Sequence, residues 1–330
     1  MKNKILLIGG AGYIGLVLSD YLLKKGFKVK CLDNLLYSQD KCLNAVKNSK
    51  NFEFIEGDIK SFKIKSILKD VNNVVLLAGL VGDPITKKYP KEAEETNHLY
   101  LKKVINDCNG ENLSKVVFVS TCSNYGLIKS EDFADENYKL NPISSYARQK
   151  VEIEKYILSQ KGNVDYSSTI LRFATAFGLS SRMRFDLTIN HFTRAVVQEK
   201  KLEIYDANTW RPYCHVTDFA RLIETVLISE KSKTDFQIFN AGSDKNNFTK
   251  KQIFEEINKI IPTKNVSFKE GSTDPRNYRV NFEKVKKVLN FDTEISIQRG
   301  IKEVYQAIQS NQFNEKSKSL KEMGNFQIKK

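Results

Sequence analysis

The chain has 330 residues, 41% of them hydrophobic, which suits one composite domain or two joined ones and argues against wholesale disorder. Its formal charge is +14, but the lysines are spread along the whole length on what read as solvated helix faces, so a nucleic-acid interface is not expected. No apolar run of 18 residues occurs, so no membrane span is expected. The cysteines (Cys31, Cys42, Cys108, Cys122 and Cys214) are scattered without C-x-x-C spacing, which speaks against a disulfide framework or zinc site and suits a cytoplasmic setting. Histidines 98, 191 and 215 are too dispersed for a metal cluster.

In chain order, β-rich runs alternate with helical patterns over the first 180 residues or so. Strands are expected at Ile5–Ile8, Lys28–Leu32, Phe52–Glu56, Val74–Ala78, Val116–Ser120 and Ser168–Phe173. Helices lie between them, such as Ile14–Lys25, where Val17, Leu18, Tyr21 and Leu22 share a face and Gly26 supplies the stop. The alternation predicts an α/β fold: a Rossmann-like, doubly wound parallel sheet with helices on both sides. Arg211–Glu230 and Phe236–Gly242 read as a helix and a strand that rejoin this domain. The expected division is residues 1–178 with 211–243 for the Rossmann domain, and 179–210 with 244–310 for a smaller substrate-binding lobe. In that lobe Thr249 is a candidate N-cap for the helix Lys250–Ile261, which Pro262 ends. Residues 311–330 are polar and lysine-rich, and a frayed or loosely docked tail is expected.

Chemistry begins at Ile8-Gly9-Gly10-Ala11-Gly12-Tyr13-Ile14-Gly15, between the first strand and the first helix. Backbone without side chains at Gly9 and Gly12 can turn sharply and approach a pyrophosphate, onto which the helix directs its free N–H groups and positive dipole end. Gly15 lets the helix pack closely on the strand. Asp33 closes the second strand, where a carboxylate accepts hydrogen bonds from adenosine ribose hydroxyls and repels a 2′-phosphate, so NAD is favoured over NADP.

The second constellation is Tyr146-Ala147-Arg148-Gln149-Lys150, at the start of the helical pattern Tyr146–Leu158. Spacing i, i+4 puts phenol and ammonium on one face. A free phenol titrates near about 10, and lowering that by ~3 takes ~4 kcal/mol of differential interaction, which a lysine and a nicotinamide's positive charge can supply. Thr121, in Val119-Ser120-Thr121-Cys122-Ser123, stands at the carboxyl end of the fifth strand, where open α/β sheets place their chemistry.

The G-x-x-G-x-x-G spacing, with Asp58-Ile59 ending the third strand and Leu77-Ala78-Gly79 the fourth, resembles the extended short-chain dehydrogenase/reductase family, in its NAD-dependent epimerase/dehydratase branch acting on sugar nucleotides. The resemblance runs to about residue 308. It implies that Asp58 contacts adenine, that Leu77, Ala78 and Gly79 line the cofactor channel, and that Asn97 is a structural, channel-lining residue. Tyr13, Ile14, Asn34 and Ile59 join the implied cofactor set. Thr121 would hydrogen-bond the reacting hydroxyl, Ser123 would face the substrate, and Asn190, Arg211 and Arg276 would bind the diphosphate, as bidentate guanidinium pairing favours. The usual Ala-Ala after the fourth strand is Ala78-Gly79 here. Some relatives carry another arginine where this chain has Gly271.

Sugar 4,6-dehydratases resemble one another in a Thr-Asp-Glu stretch. Here Thr121-Cys122-Ser123 carries no carboxyl group to move the protons of water elimination. Enzymes that epimerise beside a keto group carry a cysteine base at the position of Ser123; Cys122 is one residue off and reads as packing. The expected reaction is oxidation at C4 of a nucleotide diphosphate sugar. A 4-epimerase returns the hydride, whereas a 4-dehydrogenase, for example of a GDP-heptose, releases the keto sugar. Both stay open at this point, ahead of a cofactor sensor or RNA-binding protein, which would not need the Tyr146/Lys150 pair. The resemblance further implies a homodimer through helices around Glu92–Asn109 and Tyr146–Gln160.

Overall fold

The structure, a computed structural model, describes residues 4–129, 131–271, 274–313 and 323–329. Six strands come in turn: β1 (Lys4–Ile8), β2 (Lys28–Asp33), β3 (Phe52–Glu56), β4 (Asn73–Leu76), β5 (Lys115–Thr121) and β6 (Ser167–Phe173). They are followed by β7 (Thr175–Phe177), β8 (Leu202–Tyr205), β9 (Trp210–His215), β10 (Gln237–Ala241), β11 (Asn247–Thr249) and β12 (Val266–Lys269). The central sheet has seven parallel strands in the order β10-β6-β5-β4-β1-β2-β3. Its inner strands are buried on both faces, β5 and β6 over their whole length, as parallel sheets covered by helices on each side must be. One face packs against the helices Tyr13–Lys24 and Val216–Ile228, with Leu18, Leu22, Phe219, Leu222 and Ile223 in one core. The other face carries Leu101, Val104, Ile153 and Ile157 from the helices Tyr100–Asp107 and Ser145–Ser159.

β4 ends two residues sooner than the sequence pattern suggests, because Leu77 and Ala78 both turn their N–H groups onto the Ile8 carbonyl (2.8 and 2.7 Å). A second difference is larger. Arg211–His215, expected as the start of a helix, forms most of β9, which pairs with β7 in parallel and β11 antiparallel. All five residues are buried, and a run buried on every side carries no periodicity to separate strand from helix. The helix starts at Val216, where the His215 ring nitrogen Nδ1 accepts from Thr217 N–H at 3.2 Å.

Outside the central sheet, β7-β9-β11 and the pair β8-β12 combine with the helices Thr188–Val197, Lys250–Ile260 and Ile297–Gln309. Phe177, Ile189, Ile204, Tyr213, Ile253 and Ile301 form the centre of their shared core. Thr249 and Gln252 make a reciprocal capping box at the start of Lys250–Ile260, which satisfies two orphan donors at once. The tail departs from expectation. Residues 314–322 and 330 lie outside the described residues, but Met323–Lys329 is docked: the Met323 carbonyl accepts from Phe185 N–H at 2.8 Å and Lys329 N–H donates to the Leu36 carbonyl at 2.7 Å. These are backbone contacts to distant segments, which leave no periodic trace in a polar sequence.

Two glycines of the first turn do different work. Gly9 has φ +81°, and a Cβ there would stand 2.5 Å from the Ala78 backbone. At Gly12 a Cβ would meet only the Gly9 carbonyl oxygen, at an ordinary 3.5 Å. Gly9→Ala should therefore destabilise the protein without ligand by ~1–3 kcal/mol through overpacking and backbone strain, seen as a lower melting temperature. Gly12→Ala should melt like the parent yet bind dinucleotide ~10-fold more weakly, a loss of ~1.4 kcal/mol. Calorimetric melts and a dinucleotide titration check this; a Gly12→Ala protein with unchanged affinity would contradict it.

Candidate active site

The cleft opens over the carboxyl ends of β1, β2, β4, β5 and β6 and encloses about 460 Å³. It lies where the chain leaves β1 toward β2 on one side and β4 toward β5 on the other, the crevice in which doubly wound sheets bind ligands. Gly9, Gly12, Tyr13, Ile14 and Gly15 form its floor at the first helix. Asp33, Asn34 and Ile59 line one end. Leu77, Ala78 and Gly79 line the middle, and Thr121, Ser123, Tyr146, Lys150, Arg211 and Arg276 the far end. Seventeen residues singled out from sequence thus face one cleft.

Asp33 is buried, and its carboxylate accepts from Ala11 N–H (2.9 Å), Leu35 N–H (2.9 Å) and Gln39 Nε2 (3.2 Å). Burial pushes its carboxyl up; the Leu35 and Ala11 N–H bonds and the Arg182 charge oppose that. The Arg182 side chain, which sequence reasoning missed, is buried over the Tyr37 ring (4.5 Å to its centroid). It brings positive charge to the Asp33 end of the cleft.

Three expected contacts are not in the lining. Asp58 accepts from Asn34 Nδ2 (3.0 Å) and Lys60 N–H (2.8 Å), so it steadies the neighbour that faces the cleft. Asn97 lies behind the wall: its Oδ1 accepts from Leu80 N–H at 2.7 Å, and its Nδ2 donates to the Leu80 carbonyl and to Gln149. Asn190 is fully buried, accepting from Gly178 N–H (3.0 Å) and donating to the Tyr13 hydroxyl (3.2 Å). It orients Tyr13, and Leu187 and Thr188 take its expected place in the lining.

The helix Ser145–Ser159 begins at Ser144, whose hydroxyl accepts from Ala147 N–H at 3.2 Å. Tyr146 and Lys150 therefore project from its first two turns toward the end of β5. The Lys150 ammonium lies 5.9 Å from the Tyr146 ring centroid and donates to the Val119 carbonyl at 2.8 Å. Burial pushes Lys150 down to about 8, against the pull of Glu154. Burial also pushes the Tyr146 phenol up, opposed by Arg184 and Arg276 and reinforced by Asp83 and Tyr278. Thr121 Oγ1 accepts from Ser123 N–H (3.1 Å) and caps the turn Cys122–Tyr125. Cys122 points away, donating to the Arg172 carbonyl at 3.1 Å.

Beside Arg211 and Arg276, this end holds Arg184, Asp186, Asp83 and Asp274, which the sequence did not mark as binding residues. Arg184 grips Asp186 through Nε (3.0 Å) and Nη2 (2.5 Å). Arg276 bonds both oxygens of Asp274 at 2.7 Å, approaches Asp83 at 3.3 Å, and donates to Ser123 Oγ at 3.2 Å. Arg211 reaches the same Asp274 at 3.2 Å. Burial alone would push the Asp274 carboxyl up, but Arg276 and Arg211 hold it well below the carboxylate range. The far end is thus an array of guanidinium groups, each matched by a carboxylate.

The donor set fits a dinucleotide, because the open approach at Gly12 and the Asp33 carboxylate lie at the two places a pyrophosphate and an adenosine ribose need them. Comparison with known proteins agrees. Residues 5–242 match the NAD dependent epimerase/dehydratase family. A UDP-glucuronate 4-epimerase from Thermodesulfobacterium geofontis is 29% identical over 313 residues, 90% of this chain and 93% of the relative. The fold is similar to that of a UDP-glucuronic acid 4-epimerase from Bacillus cereus solved with UDP-glucuronic acid and NAD (TM-score 0.85, 23% identity, 93% of this chain and 99% of that one). It is also similar to a UDP-N-acetylglucosamine 4-epimerase from Methanobrevibacter ruminantium M1, solved with UDP-N-acetylmuramic acid (TM-score 0.82, 23% identity, 94% and 100%). A match over most of its length, on a sheet and cleft of this form, makes the chain a member of the NAD-dependent epimerase/dehydratase family and an NAD-dependent enzyme.

Proposed function

We propose that this enzyme is a 4-epimerase of a nucleotide diphosphate sugar, a UDP-sugar by the likeness to its named relatives. One observation carries the reading: Tyr146 and Lys150 share a helix face beside Thr121, while the cleft carboxylates near them are tied to arginines. Asp186 is held by Arg184, and Asp83 and Asp274 by Arg276. Dehydration needs a carboxyl group free to move protons. This pairing with arginines, though it leaves Asp83 Oδ1 without a hydrogen-bond partner among the described residues, favours redox at C4 over loss of water.

Gly9, Gly12, Tyr13, Ile14 and Gly15 would hold the pyrophosphate of NAD, and Asp33 and Asn34 its adenosine ribose. NAD, when bound, supplies the hydride acceptor and donor at C4. Tyr146 takes the proton from the C4 hydroxyl and later returns one to the keto oxygen. Thr121 shares that hydrogen bond, and the Lys150 charge favours the phenolate. Arg211 and Arg276 would clamp the diphosphate, since bidentate pairing with phosphate can replace their present pairing with Asp274. Tyr146→Phe should cut turnover by ~100-fold or more while leaving NAD bound, because it removes one positioned acid/base group. Lys150→Met should do similar damage and loosen NAD. Steady-state rates and the dinucleotide content of denatured protein are the measurements, and an active Tyr146→Phe enzyme would assign the proton to another group.

We infer also that two copies pair through the faces of Glu92–Asn109 and Tyr146–Gln160. Leu99, 53% exposed, stands on this surface, as an apolar residue does at a helix–helix interface. Light scattering at micromolar concentration should give twice the chain mass; a strict monomer would rule out the pairing.

A further inference from the structure

The docked tail carries an observation that neither the family nor the proposed reaction accounts for. Met323–Lys329 runs along the cleft from Phe185 to Leu36. It begins against Phe185, with the Met323 side chain buried in a cluster with Tyr13, Phe185 and Val304. The Asn325 N–H bonds the Asp186 carboxylate, and its side-chain Nδ2 donates to the Val81 carbonyl at 3.1 Å, just beyond the turn that ends β4. The Phe326 carbonyl accepts from Lys88 Nζ at 3.2 Å. Ile328 packs against Leu80, Ile85 and Ala93, and Lys329 N–H closes on Leu36, beside the Asp33 end.

Asn325 and Phe326 both line the cleft. Asn325 is 6% exposed, and its Oδ1 is a buried atom with no donor among the described residues. The amide cannot be turned around to relieve this, because Oδ1 would then face the Val81 carbonyl, acceptor against acceptor. A buried acceptor so fixed, in a residue that lines a binding cleft, calls for a donor from outside the described residues.

We propose that Met323–Lys329 is a wall of the ligand site, and that Asn325 Oδ1 accepts a hydrogen bond from an O–H or amide N–H of the bound ligand. Two sources have this chemistry: the hydroxyls and carboxamide of the dinucleotide, and the hydroxyls of the sugar. The dinucleotide half stands on the family alone, and the sugar half rests on the proposed function. Its part is to hold ligand, in a wall anchored at both ends.

The test uses the full chain and measures dissociation constants of NAD and of UDP-glucuronic acid for the parent and for Asn325→Ala. One ligand should bind ~10-fold more weakly, the equivalent of ~1.4 kcal/mol, and the other within ~2-fold. A loss confined to NAD identifies a dinucleotide donor; a loss confined to UDP-glucuronic acid identifies a sugar hydroxyl. Should Asn325→Ala misfold, amide hydrogen exchange of the parent gives a second readout, with residues 323–329 exchanging ~10-fold more slowly once ligand saturates. Unchanged affinity in the variant for every ligand the parent binds, or unchanged exchange in the tail, would overturn the proposal. A parent that binds NAD but no sugar nucleotide would instead count against the proposed function and leave the NAD comparison intact.

Discussion

The cleft depends on a single close approach between two backbones. Gly9, at the end of β1, lies so near Ala78, at the end of β4, that no Cβ fits between them. β1 and β4 are neighbours in the sheet, but the chain leaves them in opposite directions, toward β2 and toward β5. The crevice therefore opens at this seam, and everything that lines it is placed by reference to it. Leu77 and Ala78 both bond the Ile8 carbonyl, which locks the two strand ends together and turns Gly79 and Leu80 outward along the wall.

A buried ionic network holds the reactive helix in register with that seam. Glu154 lies one turn beyond Lys150 on the face shared with Tyr146. It accepts from Arg172 on β6 (2.7 and 3.1 Å) and from Asn124 Nδ2 (2.8 Å), and also bonds the Ser120 hydroxyl on β5. Arg172 in turn donates to the Tyr125 hydroxyl, which donates to Asn240 on β10. A buried pair of this kind is weak evidence for stability, since desolvation offsets most of its attraction. Its directional bonds do constrain where the helix sits. The same carboxylate sets the charge balance at Lys150, where its pull opposes the burial that lowers the ammonium to about 8.

The central sheet was legible in the sequence because its strands are short runs rich in apolar residues and bounded by turns, with periodic helices such as Tyr13–Lys24 and Ser145–Ser159 between them. The places of Gly9, Gly12, Asp33, Tyr146 and Lys150 in the cleft were legible because a glycine turn, a strand end and an i, i+4 spacing on one helix are local features. Elsewhere local pattern ran out. Asn190, Asn97 and Asp58 sit beside the cleft, not in it, and only tertiary contacts reveal that their polar groups are satisfied by Tyr13, Leu80 and Asn34. Arg211 lies on a strand buried on both faces, which reads equally well as helix. Arg182, Arg184, Tyr278 and Asn325 come from loops and from the tail, where nothing periodic marks them, and they meet the site only through long-range folding. The cleft adds to the case against dehydration made by Cys122 and Ser123, since Asp186 and Asp83 are each ion-paired with a guanidinium group.

The central claim is that hydride leaves C4 of a nucleotide-linked sugar and returns to the same carbon. It is tested most directly with a panel of UDP-, GDP-, CDP- and dTDP-sugars carrying deuterium at C4, with products analysed by mass spectrometry and NMR. The account predicts that one of them yields an isomer of unchanged mass, inverted at C4, with the deuterium retained there and no net NADH formed. A product lighter by one water, or a keto sugar released with its deuterium in NADH, would contradict it.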